Sequence, residues 1–135
     1  MNPAYWSIDK LPGLKPSEQD LLKAHGITNT QQLLVKARNL QAQEHLAIQL
    51  KLKLNYVKKW AALADLARVP SVGCQYCGLL LHSGIISVSQ LAVTPFHRLH
   101  RQILRLQVAT LSRKDLAPAV KDVKQWVEEA KLLVN

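Results

Sequence analysis

The sequence repeats itself at an offset of 58 residues, and nothing else in it constrains the fold as tightly. Leu11-Pro12-Gly13-Leu14 falls on Val69-Pro70-Ser71-Val72, and Leu21-Leu22 falls on Leu79-Leu80. Without a gap, Gly26-Ile27 then meets Gly84-Ile85, Asn29 meets Ser87, Gln32-Leu33 meets Gln90-Leu91, and Val35 meets Val93. These positions decide backbone shape and core packing, so the chain reads as one supersecondary unit used twice. In each copy the proline ends any preceding helix and sets a tight turn, and the small residue after it tolerates an unusual φ. The pattern predicts a helix over residues 17–25 in the first copy and 74–83 in the second, each stopped by a glycine suited to a left-handed cap, Gly26 or Gly84. Ile27 or Ile85 then enters the core. Asn29 or Ser87 caps a further short helix, with a glutamine three residues on.

The remainder also reads as helix. In "NYVKKWAALADLAR", Val57, Trp60, Ala61 and Ala64 share a face, with Asn55 as the expected cap. In "PFHRLHRQILRLQVATL", Pro95 opens a helix whose Phe96, Leu99, Ile103, Leu106 and Thr110 line one side. Pro118 opens the last helix, with Val120, Val123, Trp126 or Val127, Ala130 and Leu133 inward. "IQLKLKLNY" alternates like a strand but has no second strand to pair with, so it is read as a helix end and connector. The expected fold is all-α in a single domain over 1–135: repeat one at about 8–37, connecting helices at about 42–67, repeat two at about 66–95 and C-terminal helices at about 95–133. A composition of 48% hydrophobic and 20% charged residues belongs to globular chains. No apolar run reaches the roughly 18 residues of a membrane span, and the first ten residues lack the layout of a secretory signal, so a cytoplasmic protein with no membrane partner is expected.

The two turns carry a resemblance. The stretches around "LPGLK" to "LLKAHGIT" and "RVPSVG" to "LLLHSGIIS" resemble the helix-hairpin-helix motif, whose turn is hydrophobic-Pro-Gly-hydrophobic-Gly and whose second helix ends in Gly-Ile or Gly-Phe. Over nearly the full length, including "ADLARVPSVGCQYCGLLLHSGI" and "VKDVKQWVEEAKLL", the chain is similar to a family of tandem helix-hairpin-helix proteins found largely in photosynthetic bacteria. The resemblance implies a helical, SAM-like fold of two such repeats and a nucleic-acid- or protein-binding role.

Charge points the same way. Residues 1–44 carry five basic and four acidic side chains, residues 45–114 carry ten and one, and residues 115–135 carry three and four. The net charge of +9 therefore lies in the central block, as in a surface for an anionic partner. A turn whose backbone N–H groups face outward at a helix start attracts phosphate, and glycine lets it approach. The first turn keeps Gly13 but has Lys15 in the second glycine's place, and Pro16 removes an N–H. The second has Ser71 in place of the first glycine and keeps Gly73. Ser71, Val72 and Gly73 are therefore expected to be the better phosphate cradle, with Gly13 and Lys15 partly converted to a structural joint. Arg98, Arg101 and Arg105 form a narrow stripe away from the apolar face of their helix, and Lys58 and Lys59 precede Arg68 and the second turn.

Cys74 and Cys77 form a lone CxxC near His82, His97 and His100. No second close pair accompanies it, so buried reduced thiols are expected and no metal or cofactor. No phosphate-binding glycine loop, nucleophile elbow or pair of carboxylates marks an enzyme. Two functions remain. One is a sequence-independent nucleic-acid-binding module, with duplex preferred over single strand. The other is an adaptor that docks on an acidic protein through degenerate hairpins. The oligomeric state stays open.

Overall fold

The computed structural model describes residues 1–111 and 117–134, the side chains of 108–111 lying outside that description. One 3-10 turn at Ile8–Lys10 leads into eight helices among the described residues: α1 (Pro16–Ala24), α2 (Thr30–Lys36), α3 (Leu40–Leu50), α4 (Leu54–Ala67), α5 (Gly73–His82), α6 (Val88–Val93), α7 (Phe96–Leu111) and α8 (Val120–Val134). No helix among these residues is long and apolar enough to cross a membrane.

Helix ends follow the local chemistry. Gly26 and Gly84 take φ of +80° and +94°, and the next isoleucine donates its N–H back to the end of the helix, Ile27 to Leu22 O at 2.9 Å and Ile85 to Leu80 O at 3.0 Å. The left-handed residue turns the chain so that orphan carbonyls are met and the isoleucine drops into the core. Asn29 and Ser87 then accept the N–H of Gln32 and Gln90 at 2.8 and 3.0 Å, and those glutamines reach back to the N–H of Thr28 and Ile86. Positions 58 apart thus share their caps as well as their side-chain types.

"IQLKLKLNY" resolves into the end of α3, a connector and the start of α4. Lys51 sits at φ +57°, and Leu52 donates to Ala47 O at 3.0 Å, which closes α3 as Gly26 and Gly84 close their helices. The starts of α4 and α8 each differ from the sequence reading by more than one residue. α4 begins at Leu54 behind Lys53, which offers no side-chain cap, so the expected cap Asn55 lies inside the helix. α8 begins at Val120, where Ala119 donates its N–H to Asp122 Oδ2 at 3.0 Å.

One apolar core runs through both halves of the chain. α4 lies at its centre, packed on α2, α3 and α5 with Trp60, Ala64 and Leu66 wholly buried. α8 closes the other side by packing on α6 and α7, burying Val123, Trp126, Val127 and Ala130. Val120 is 37% exposed, so the inward stripe starts one turn later than its spacing indicates. Leu99 and Ile103 of α7 are buried, while Thr110 lies outside the described side chains.

The N-terminal segment straps the molecule together. Ala4 donates to Arg68 O and Trp6 Nε1 donates to Ala67 O, both at 2.8 Å. On the other side, the N–H of Thr30 reaches Trp6 O at 2.9 Å and Thr30 Oγ1 accepts from Trp6 N at 3.0 Å. Residues 4–8 therefore join the end of α4 to the start of α2, with the Ala4, Trp6 and Ile8 amides each meeting an acceptor.

Candidate nucleic-acid interface

The first turn rests on two helices. A Cβ built on Gly13 would lie 3.6 Å from Leu63 Cδ1 of α4, and one on Gly78 of α5 would lie 3.9 Å from Pro12 Cγ. Gly13 takes φ +81° and is exposed, as is Lys15. The same Gly13 position lies 3.5 Å from Lys59 Cε and 3.6 Å from Lys59 Nζ, so an ammonium group sits over the turn. Lys15 donates its N–H to Glu18 Oε1 at 2.8 Å, and Pro16 has no N–H to give. The Gly13 amide has no acceptor among the described residues, whereas the turn through Pro12 and Gly13 directs the Leu14 amide back toward Leu11.

The second turn is built differently. Ser71 donates its N–H to Glu129 Oε1 at 2.9 Å and its hydroxyl to Glu129 Oε2. Gln125 Nε2 donates to the same Oε2 at 2.9 Å and to Ser71 Oγ at 3.0 Å. The Val72 and Gly73 amides both return to Val69 O. Gly73 is buried at φ +53°, and a Cβ there would lie 3.1 Å from Trp6 Cζ2. Ser71, Val72 and Gly73 thus spend their donors inside the chain, on a carboxylate and a carbonyl, beneath an indole ring, while the Gly13 amide meets no acceptor among the described residues.

A family model described as a domain of unknown function, DUF4332, matches residues 12–133. The chain belongs to the DUF4332 family. No curated protein and no solved structure matches it. Both turns and Glu129 fall inside the matched DUF4332 region, whereas Tyr5 and Trp6 of the strap fall outside it.

The candidate basic residues on α4 and α7 of this DUF4332 chain fall into two sets. Lys58, Lys59 and Arg68 come together on one side of α4, where they line a groove of about 800 Å³ together with Arg38 and Tyr5. Arg68 is half-buried and donates to Asp65 Oδ1 at 2.8 Å, while Asp65 Oδ2 accepts the Val88 N–H at 2.8 Å. Lys58 and Lys59 are exposed and meet no carboxylate among the described residues. Arg98, Arg101 and Arg105 are all exposed on α7, again with no ion pair among those residues. Arg98 borders a separate hollow with Gly84, Gln90 and Gln102. That hollow shares no lining residue with the groove of Lys58 and Lys59.

Cys77 is buried and Cys74 half-buried, and the two are not bridged. Burial pushes the Cys77 thiol up to about 12, with the neighbouring Cys74 adding to it, and burial also raises Cys74. His82 and His97 are exposed, and His100 Nε2 lies 3.1 Å from Pro118 O. No group of three or more His, Cys, Asp or Glu suited to a metal ion occurs among the described residues.

Sequence reasoning missed Glu129, Gln125, Arg38, Tyr5 and the covering role of Trp6. A signal for Glu129 was present, since it follows Trp126 by three residues and so lies at the edge of the inward stripe of α8. A carboxylate in that register needs a donor, and Ser71 supplies two.

Proposed function

We propose that this chain is a non-enzymatic nucleic-acid-binding module of the helix-hairpin-helix kind, gripping the phosphate backbone without reading base sequence. The observation that carries the reading is the pairing of an unmet Gly13 amide with an unpaired Lys59 ammonium above it. Outward amides at a helix start favour an anion, and a lysine beside them supplies the charge that draws a phosphate in. Lys15 adds a second cation at the rim, and Arg98, Arg101 and Arg105 supply a further patch for a neighbouring stretch of backbone. Glu129 supports the same reading by analogy within the chain: at the second turn the Ser71 N–H, which corresponds to that of Gly13, already holds a carboxylate oxygen.

An acidic protein is the competing partner. Ile48 at 75%, Val93 at 80% and Val35 at 59% exposure are apolar side chains that an adaptor could cover. A salt series on a random-sequence duplex tests the first reading. Log affinity should fall linearly with log salt, at about −0.9 per phosphate neutralised. Replacing Arg98, Arg101 and Arg105 together with glutamine should flatten that slope by up to about three units without lowering Tm, because all three side chains face water. Absence of salt-dependent binding at low ionic strength would assign the basic surfaces to an acidic protein instead.

A further inference from the structure

We infer that the groove beside α4 is a seat for an unpaired nucleobase, so that the module takes single-stranded nucleic acid with one base turned in against Tyr5. The inference rests on the phosphate-binding reading above and extends it. Three features of the groove select this occupant. The first is charge: Arg38, Lys58, Lys59 and Arg68 line it against one carboxylate, Asp65, which is already committed to Arg68 and to the Val88 N–H. Three cations are left for an anionic ligand. The second is its lining, where Leu34, Ala61 and Ala62 are apolar and Tyr5, 42% exposed, is aromatic. A flat ring with an anionic tether satisfies both. Base stacking on an aromatic side chain needs no particular sequence, because every base has a π-face. The third is continuity. Lys59 lines the groove and also covers the Gly13 turn, so a phosphate held there is joined through one side chain to the place where the attached base would go. A duplex, whose bases are stacked inside, can use the turn but not the groove.

The test compares fluorescent oligothymidine with an abasic strand of equal length at low salt. The phosphates are the same in number, so the salt slopes should be parallel, and the abasic strand should bind about tenfold more weakly. Tyr5→Ala should bring oligothymidine down to the abasic level and leave abasic binding unchanged, whereas Tyr5→Phe should keep the difference. Ala62→Glu, which sets a carboxylate in the groove lining, should act like Tyr5→Ala, and thermal melts establish that each variant is folded. Equal affinity for the two strands, or a Tyr5→Ala protein that still separates them, overturns the groove inference and leaves the phosphate reading standing. Failure of both strands and of duplex to bind overturns both. If neither strand binds but a peptide rich in glutamate and leucine does, and is lost on Tyr5→Ala, the groove belongs to an acidic protein and the inference is wrong.

Discussion

Glu129 is a carboxylate only 6% exposed, met by neutral donors rather than by a cation. Its desolvation is offset by the Ser71 N–H, the Ser71 hydroxyl and the Gln125 amide, each stronger for ending on a charged acceptor. Glu129→Ala should therefore cost about 1–3 kcal/mol in urea unfolding, because it strands the Ser71 donors, and Glu129→Gln should cost less because its carbonyl can still accept. An unchanged midpoint for the alanine variant would mean that water replaces the carboxylate freely. Cys77 gives a second prediction at this scale. Its thiol ionises only at about 12 in the folded protein, whereas in the unfolded chain it ionises near about 8.5. Above the lower value the unfolded state releases its proton first, so the stability due to this burial is complete below about pH 8.5 and is lost as pH rises toward 12. Thermal melts from neutral to alkaline pH should show a steeper decline for the wild type than for Cys77→Ala. Parallel curves would contradict the assignment.

Among the elements, α8 closes the molecule. It covers α6 and α7 with Val123, Trp126, Val127 and Ala130, and it delivers Glu129 to the second turn. Ending the chain before Ala117 should lower Tm steeply and create dye-binding surface, and a shortened protein that melts like the whole would contradict that role. Most helices were legible in the sequence because their signals are local. Gly26 and Gly84 stop α1 and α5, Asn29 and Ser87 cap α2 and α6, and the stripe around Trp60 follows the helical period. What stayed hidden is long-range. Trp6 reaches Ala67 across 61 residues and shields Gly73, and Glu129 reaches Ser71 across 58, with no nearby residue announcing either pairing. The candidate residues were visible as types, but which donors the fold leaves open depends on those two contacts. That is why the second turn looked better in sequence and the first is open in space. The start of α4 was misplaced by two residues because Asn55 looked like a cap, whereas Lys53 holds that position and Leu54 is already helical.

At the scale of the molecule, the described residues present two basic surfaces with different characters. The arginines of α7 lie on an exposed helix face beside a small hollow, and Lys58, Lys59 and Arg38 edge a larger groove lined in part by apolar side chains and joined to the Gly13 turn through Lys59. A flat cationic face suits non-specific attraction of a polyanion, and a groove joined to an open amide suits a defined contact. On the proposed function, phosphate meets the first turn and not the second. Backbone amide resonances of uniformly 15N-labelled protein, followed as a random duplex is added at low salt, test this most directly. The Gly13 signal should shift in proportion to bound nucleic acid, and those of Ser71 and Gly73, held by Glu129 and Val69, should stay in place. Shifts at Ser71 and Gly73 with Gly13 unmoved would contradict it.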